Sequence, residues 1–108
     1  MSIIDNLSAL LEKGQDNALL RYSLGSECFK LHDWNAAIEH FSRALEQDET
    51  YSAAWKLYGK ALAEAGRLDE AIGAFERGIG VAEAKGDVQA AKEMGVFLKR
   101  AKKLLEQG

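Results

Sequence analysis

Apolar residues along this chain recur at intervals of three and four, which is the spacing that places them on one face of a helix. No segment is predicted to be a strand. The pattern predicts six helices, at about residues 2–13, 17–31, 34–47, 51–65, 68–84 and 88–106. Ser2 and Asp5 have the spacing of a capping box, and Asp33 and Asp87 stand where they can cap the third and sixth helices. Gly14 and Gly66 follow the first and fourth helices, as helix-ending glycines do.

Two of the predicted helix pairs are copies of each other at a spacing of 34 residues. Leu24-Gly25 aligns in this way with Tyr58-Gly59. The other aligned pairs are Ala37 with Ala71, Ile38 with Ile72, Phe41 with Phe75, Ala44 with Gly78, and Leu45 with Ile79. A fixed period of this length is the sign of an internal repeat.

The repeated unit resembles the tetratricopeptide repeat over residues 18–84. The second copy matches that family's signature at Trp55, Gly59, Ala71 and Phe75, and the first copy matches it at Leu24, Gly25, Ala37, Phe41 and Ala44. Glu49 stands where the family usually has Pro, so local caps must set that turn. The resemblance implies an all-α fold, a right-handed superhelix of stacked antiparallel helix pairs.

A single domain over residues 1–108 is expected, divided into an N-terminal capping helix, two repeats and a C-terminal capping helix. The expected ranges are 1–14, 18–51, 52–85 and 87–106. Met94-Gly95 resembles the repeats' Leu-Gly pair, displaced by 36 residues from Tyr58-Gly59. Its helix is expected to place Ala91, Met94, Leu98, Ala101 and Leu105 inward. Isolated repeats need such neighbours to bury their faces.

The first helix has an apolar face made of Ile3, Leu7, Leu10 and Leu11. Packing of this face against the first repeat is the leading expectation, and a dimerisation face is the alternative.

Glycines inside the helices indicate where helices pack closely and where a helix is weakened. Gly25 and Gly59 share a repeat position, which favours a packing reason for a residue that costs a helix about 1 kcal/mol. Phe41 and Phe75 are expected to fill the gap to the next helix pair. Gly73, Gly78 and Gly80 are expected to weaken the second half of the fifth helix.

Composition narrows the class of protein. The chain has 108 residues, of which 47% are hydrophobic and 29% charged, and a net charge of −3, a poor balance for nucleic-acid binding. Apolar runs are too short for a membrane span, and no secretory signal is visible at the N-terminus. The single cysteine excludes an intramolecular disulfide and fits a reducing compartment, so a cytoplasmic location is expected.

Few residues are candidates for metal binding or catalysis. Cys28 and His32 have the four-residue spacing of a helical ligand pair, but two ligands do not complete a zinc site, and His40 belongs to another helix. A buried, inert Cys28 is the simpler interpretation. We therefore expect no metal, no cofactor and no enzymatic activity, and an enzyme using Cys28 and His32 stays as a rival.

The resemblance implies a concave groove that binds a segment of a partner protein. Its positions, carried onto this chain, give the groove residues Tyr22, Ser26, Phe29, Lys56, Lys60, Lys92 and Lys99. Lys56 and Lys60 are one turn apart, so both could reach one anion. An acidic peptide or a free carboxyl terminus is the expected ligand, and an ordinary solvated face is the alternative.

One type within the family grips a C-terminal carboxylate with two Lys, two Asn and an Arg. Most of the corresponding places here hold Tyr22, Ser26, Leu57, Gln89 and Glu93, so that clamp is not carried over. The expected function is that of a protein-binding adaptor. The rival is a self-associating structural module, a homo-oligomer formed through a capping helix.

Overall fold

A computed structural model describes residues 2–108, and this part of the chain contains helices and no strand. The six helices are α1 (Ile3–Glu12), α2 (Ala18–Lys30), α3 (Trp34–Gln47), α4 (Ser52–Glu64), α5 (Leu68–Lys85) and α6 (Val88–Gln107). Each lies within one or two residues of its predicted range. The predicted all-α fold is confirmed.

The predicted caps are present at the helix ends. Ser2 and Asp5 form the full capping box, and Asp33 and Asp87 each accept a hydrogen bond from a backbone N–H of the first turn they cap. Gly66 has φ +80°, a left-handed conformation that favours glycine. In the turn that lacks proline, the Asp48 carboxylate accepts hydrogen bonds from the backbone N–H and the hydroxyl of Thr50. Local side chains therefore set this turn.

The helices stack in sequence, each packing on the next along the chain. α2 pairs with α3 and α4 with α5, while α1 covers α2 and α6 covers both α5 and α4. The largest fully buried side chains are Leu24, Phe41, Leu62, Phe75 and Met94. One core therefore runs through both helix pairs and into α6.

Small residues bring paired helices together, as the repeated Gly25 and Gly59 predict. A Cβ atom at either glycine would overlap the ring of Phe41 or Phe75 in the partner helix. Each ring covers the glycine of its own helix pair, a contact that the expectation of filling the gap to the next pair did not include. Phe75 does extend further, since its ring stacks on Phe97 of α6 with centroids 5.9 Å apart.

Gly78 is also a packing residue, a role that its expected effect on the stability of α5 does not include. A Cβ atom there would lie 2.5 Å from Sδ of Met94 and 2.7 Å from Cβ of Trp55. Only glycine allows α5 to approach α4 and α6 this closely. At Gly73 and Gly80 a Cβ atom would meet nothing within 4 Å.

The terminal helices differ from expectation in detail. Ile4 of α1 packs against the core, whereas Ile3 is 60% exposed although it was expected to face inward. In α6, Ala90 is buried and Leu105 is 42% exposed, which reverses the predicted assignment of Leu105. Leu105 lies at the edge of a shallow cleft beside Arg67 and Leu68, where it stays partly open to solvent.

Candidate functional site

The inner layer of the stack consists of α2, α4 and α6. α4 contacts both α2 and α6, whereas α1, α3 and α5 make no contact with one another. In a curved stack the helices on the concave side lie closer together. The concave surface is therefore formed by α2, α4 and α6, the helices that carry all the predicted groove residues.

Lys60 lies at the centre of this surface. Its ammonium nitrogen is 5.6 Å from the ring centroid of Phe29 on α2 and 4.7 Å from that of Phe97 on α6. Attraction to the two ring faces holds the charge in place. Among the described residues, no carboxylate forms an ion pair with Lys60. A positioned cation is thus left without a neutralising partner.

Aromatic and cationic side chains extend from Lys60 in both directions. The guanidinium of Arg100 lies 5.7 Å from the Phe97 centroid. On the other side, Phe29 meets Trp34 edge to face at 5.1 Å, and His32 stacks on Trp34 at 5.0 Å. We call Phe29, Lys60, Phe97 and Arg100 the cation–aromatic cluster.

The groove residues predicted from the sequence include neither Phe97 nor Arg100. Phe97 follows Met94 by three residues and precedes Ala101 by four, so its helical spacing already indicated an inward-facing aromatic residue. The carried-over family positions drew attention to its neighbours instead. This omission left out the ring closest to Lys60.

Lys56 turns to a different partner than Lys60. Its ammonium lies 3.3 Å from Oε1 of Glu93 on α6. Both lysines are half-buried rather than freely exposed. Because Glu93 already compensates the charge of Lys56, an acidic ligand would have to compete with this carboxylate.

Tyr22 and Ser26 occupy the α2 side of the surface. The Tyr22 ring stacks on Tyr51, with centroids 4.8 Å apart, and lies 5.9 Å from Phe41. The Ser26 hydroxyl oxygen is buried and has no hydrogen-bond partner in residues 2–108. Leu19, one turn before Tyr22, is 66% exposed. The α2 side of the surface is therefore largely apolar and partly exposed to solvent.

Lys92 and Lys99 are exposed on α6 and form no ion pair with any described residue. Lys92 lines a cleft between α5 and α6, together with Ile79 and Glu83. Its position matches Lys56 one unit earlier, where the next inner helix supplies Glu93. Within residues 2–108 no further helix supplies such a carboxylate to Lys92.

Cys28 and His32 do not share a helix face. α2 ends at Lys30, and His32 lies in the following turn with φ 59°. The shared helix face is not formed, because the helix stops two residues before His32. Burial raises the pKa of the Cys28 thiol, which disfavours a reactive thiolate. Across residues 2–108 there is no cluster of three metal-binding side chains.

A second charged group links the outer helix α3 to the turn before α2. Arg21 donates two hydrogen bonds to Asp16, which also accepts one from Gln47. The Arg21 guanidinium lies 3.2 Å from Nδ1 of His40. These bonds hold the pKa of Asp16 well below its usual value, and burial and then Arg21 lower the pKa of His40.

An outer cleft of about 390 Å³ lies between α3, α4 and α5. Trp55 forms its floor and donates a hydrogen bond from its indole to the carbonyl of Glu49. The Arg77 guanidinium covers the same ring at 5.0 Å. Carboxylates of Glu46, Glu49 and Glu70 line this cleft, so it is less suited to an acidic ligand than the concave surface.

Comparison with known proteins gives the same class that the fold and the repeat define. The tetratricopeptide repeat family model matches residues 22–88. A TPR repeat-containing protein of Pseudomonas aeruginosa is 49% identical over 98 residues, which cover 91% of this chain and 93% of that protein. The chain belongs to the tetratricopeptide repeat family.

Solved structures agree with this assignment. The solution structure of a Bordetella parapertussis protein is 41% identical, with a TM-score of 0.83 over 95% of this chain and 90% of that one. The crystal structure of a tetratricopeptide repeat domain protein from Salinibacter ruber is 27% identical, with a TM-score of 0.76 over 82% of this chain and 99% of that one.

Members of this family are generally protein-interaction modules, and they are typically scaffolds without enzymatic activity. Within residues 2–108, none of the helices combines the length and hydropathy that crossing a bilayer requires.

Proposed function

We propose that this protein is an adaptor that binds a short acidic segment of a partner protein across its concave surface. The observation that carries the proposal is Lys60, a half-buried cation held by Phe29 and Phe97 without an anionic partner in the described chain. A hydrogen bond from such a group to a ligand carboxylate is charge-assisted and stronger than a neutral one. The rings beside it offer contacts for apolar side chains of the same ligand.

The surrounding charges support this ligand class. Arg100 adds positive charge on the same Phe97 ring that Lys60 contacts, while Glu93 offsets Lys56. Three inner helices spaced about 10 Å apart span about 20 Å between the outer axes. An extended chain rises about 3.3 Å per residue, so about six residues of a ligand would cross the surface.

The experiment is a selection of random peptides of about eight residues displayed on phage, run against the wild-type chain, Lys60→Gln and Lys13→Gln. Lys13 is an exposed lysine at the end of α1, so its variant controls for the loss of one positive charge. Peptides retained by the wild-type chain are expected to carry at least two carboxylates and one large apolar residue.

Calorimetry then measures the affinity of the selected peptides. Lys60→Gln should raise their dissociation constant about tenfold or more, since hydrogen bonds to charged groups contribute about 1.5 to 3 kcal/mol. Lys13→Gln should leave it unchanged. Equal losses for both variants would mean that only net charge attracts the peptides, and neutral or basic selected peptides would contradict the proposed ligand class.

A further inference from the structure

The last helix, α6, has the features of the first helix of a repeat but lacks the second helix that would pair with it. Gly95 follows Gly59 by 36 residues, within the aligned Met94-Gly95 pair. At Gly25 and Gly59 the ring of Phe41 or Phe75 fills the space that a Cβ atom would enter. At Gly95 that space is empty, with no atom within 4 Å.

The cleft beside Gly95 repeats the outer cleft of the complete pair with one wall missing. The complete cleft is bounded by Leu45 of α3 and Glu49 of the following turn, by α4, and by a third wall from α5. The end cleft, about 400 Å³ in volume, has Ile79 and Glu83 at the matching places of α5. Its α6 side carries Ala91, which matches Trp55, and no third helix closes it.

The first helix, α1, shows the opposite relationship to α6: it aligns with the second helices of the repeats. A spacing of 34 residues places Ile3, Leu7 and Leu10 under Ala37, Phe41 and Ala44 of α3. Six positions separate the last residue of α1 from the first of α2, and five separate the last residue of α3, Gln47, from the first of α4, Ser52. Ile4 and its neighbours already pack on α2, as α3 packs on α4.

We propose that α1 of one copy packs into the end cleft of a second copy, so that α6 and α1 together complete a repeat. In this contact Leu7 takes the place of Phe75 over Gly95, and Ile3 takes the place of Ala71. Ile3 is 60% exposed on the free chain, and Val88 at the rim of the cleft is 61% exposed. The contact covers both residues.

The positions of the apolar residues on α1 favour a second copy over an arbitrary apolar helix. Ile3 and Leu7 stand where the second helix of a repeat presents Ala71 and Phe75 to its partner.

The contact joins two different surfaces, one at each end of the chain. Such a heterologous contact leaves a free α1 at one end of a dimer and a free α6 at the other, so it can extend further. The mean mass in solution should therefore rise with concentration beyond two copies. This inference does not depend on the ligand of the concave surface.

Sedimentation velocity over a wide concentration range tests the contact with the full chain and three variants. Ile3→Glu places a charge in the α1 face, and Gly95→Gln fills the space meant for Leu7 without adding an apolar group. Each should raise the dissociation constant about tenfold or more. Leu31→Glu is the matched control, since Leu31 is 69% exposed in the turn after α2. It should associate like the wild-type chain.

Mixing the two end variants separates this arrangement from a symmetric dimer. The Ile3→Glu chain keeps an intact α6, and the Gly95→Gln chain keeps an intact α1, so their mixture should form dimers and nothing larger. Circular dichroism checks that each variant is folded. A wild-type chain that stays monomeric, association unaffected by either variant, or a mixture that fails to dimerise would each overturn the proposal.

Discussion

The ring of Phe41 lies directly on the backbone of Gly25, so that a Cβ atom at the glycine would come within 2.6 Å of ring atom Cε1. Phe75 covers Gly59 in the same way one repeat later. The glycine and the aromatic ring therefore form one packing unit that appears twice. At Gly95 the glycine of this unit occurs without its ring.

Leucine substitutions at two of these glycines should have opposite effects. Gly59→Leu forces a side chain into the Phe75 ring and should lower the free energy of unfolding by about 2 kcal/mol or more. A Cβ atom added at Gly95 meets no atom within 4 Å. Gly95→Leu should therefore raise that free energy by up to about 1 kcal/mol through helix propensity. Urea denaturation followed by circular dichroism measures both. Similar losses at the two sites would refute the packing explanation.

Two aromatic residues that touch each other should differ in what they support. Phe75 is 1% exposed at the centre of the core, and Phe75→Ala should cost about 3 to 5 kcal/mol of stability. Phe97 is half-buried beside Lys60, so Phe97→Ala should cost less stability and weaken peptide binding. Thermal denaturation and calorimetry with a selected peptide separate the two effects. Loss of stability at Phe97 equal to that at Phe75 would place Phe97 in the core instead of the binding surface.

Removing the carboxylate of Glu93 should strengthen the binding of an acidic ligand. Glu93 neutralises Lys56 across α4 and α6, and both groups are solvent-accessible enough that their pairing contributes about 1 kcal/mol or less. Glu93→Gln frees Lys56 for the ligand and should lower the peptide dissociation constant about two- to fivefold. Fluorescence titration with a labelled peptide measures this. Unchanged or weaker binding would show that Lys56 does not reach the ligand.

Stability should fall as pH drops below neutrality because of His40. Burial, followed by the nearby Arg21, lowers the pKa of the folded His40, so the unfolded chain binds this proton more tightly. The contribution is present above about pH 6.5, the usual histidine value, and is lost as pH falls through the lower folded pKa. His40→Gln should reduce the pH dependence of the urea midpoint in this range. His32→Gln, in an exposed turn, should retain it.

Asp16 does not contribute to the pH dependence of stability in the range assigned to His40. Its pKa lies well below the usual carboxyl range because Arg21 and Gln47 bind the charged form. The stability it contributes is lost only below about pH 4, where the unfolded carboxyl takes up its proton.

Much of the fold follows from local sequence signals. Helix ends were predictable because Ser2, Asp33, Asp87 and Gly66 act on backbone groups within a few residues. The pairing of α2 with α3 and of α4 with α5 followed from the 34-residue period. His32 was harder, because its placement depends on where α2 stops relative to Cys28.

The proposed binding surface was less predictable, since it depends on side-chain directions across helices. Lys56 and Lys60 are one turn apart on α4, yet Glu93 draws one toward α6 while two rings hold the other. Those partners are more than 30 residues away in sequence, so no local pattern indicates them. The packing role of Gly78 was not predicted for the same reason, because its neighbours Met94 and Trp55 belong to other helices.

The central claim is that ligands bind at the cation–aromatic cluster, and the most direct test is nuclear magnetic resonance of the labelled chain during titration with a selected acidic peptide. The account predicts that the largest chemical-shift changes map to Phe29, Lys60, Phe97 and Arg100, and that they disappear in Lys60→Gln. Changes centred on Trp55 and Arg77 of the outer cleft, or changes that persist in Lys60→Gln, would contradict it.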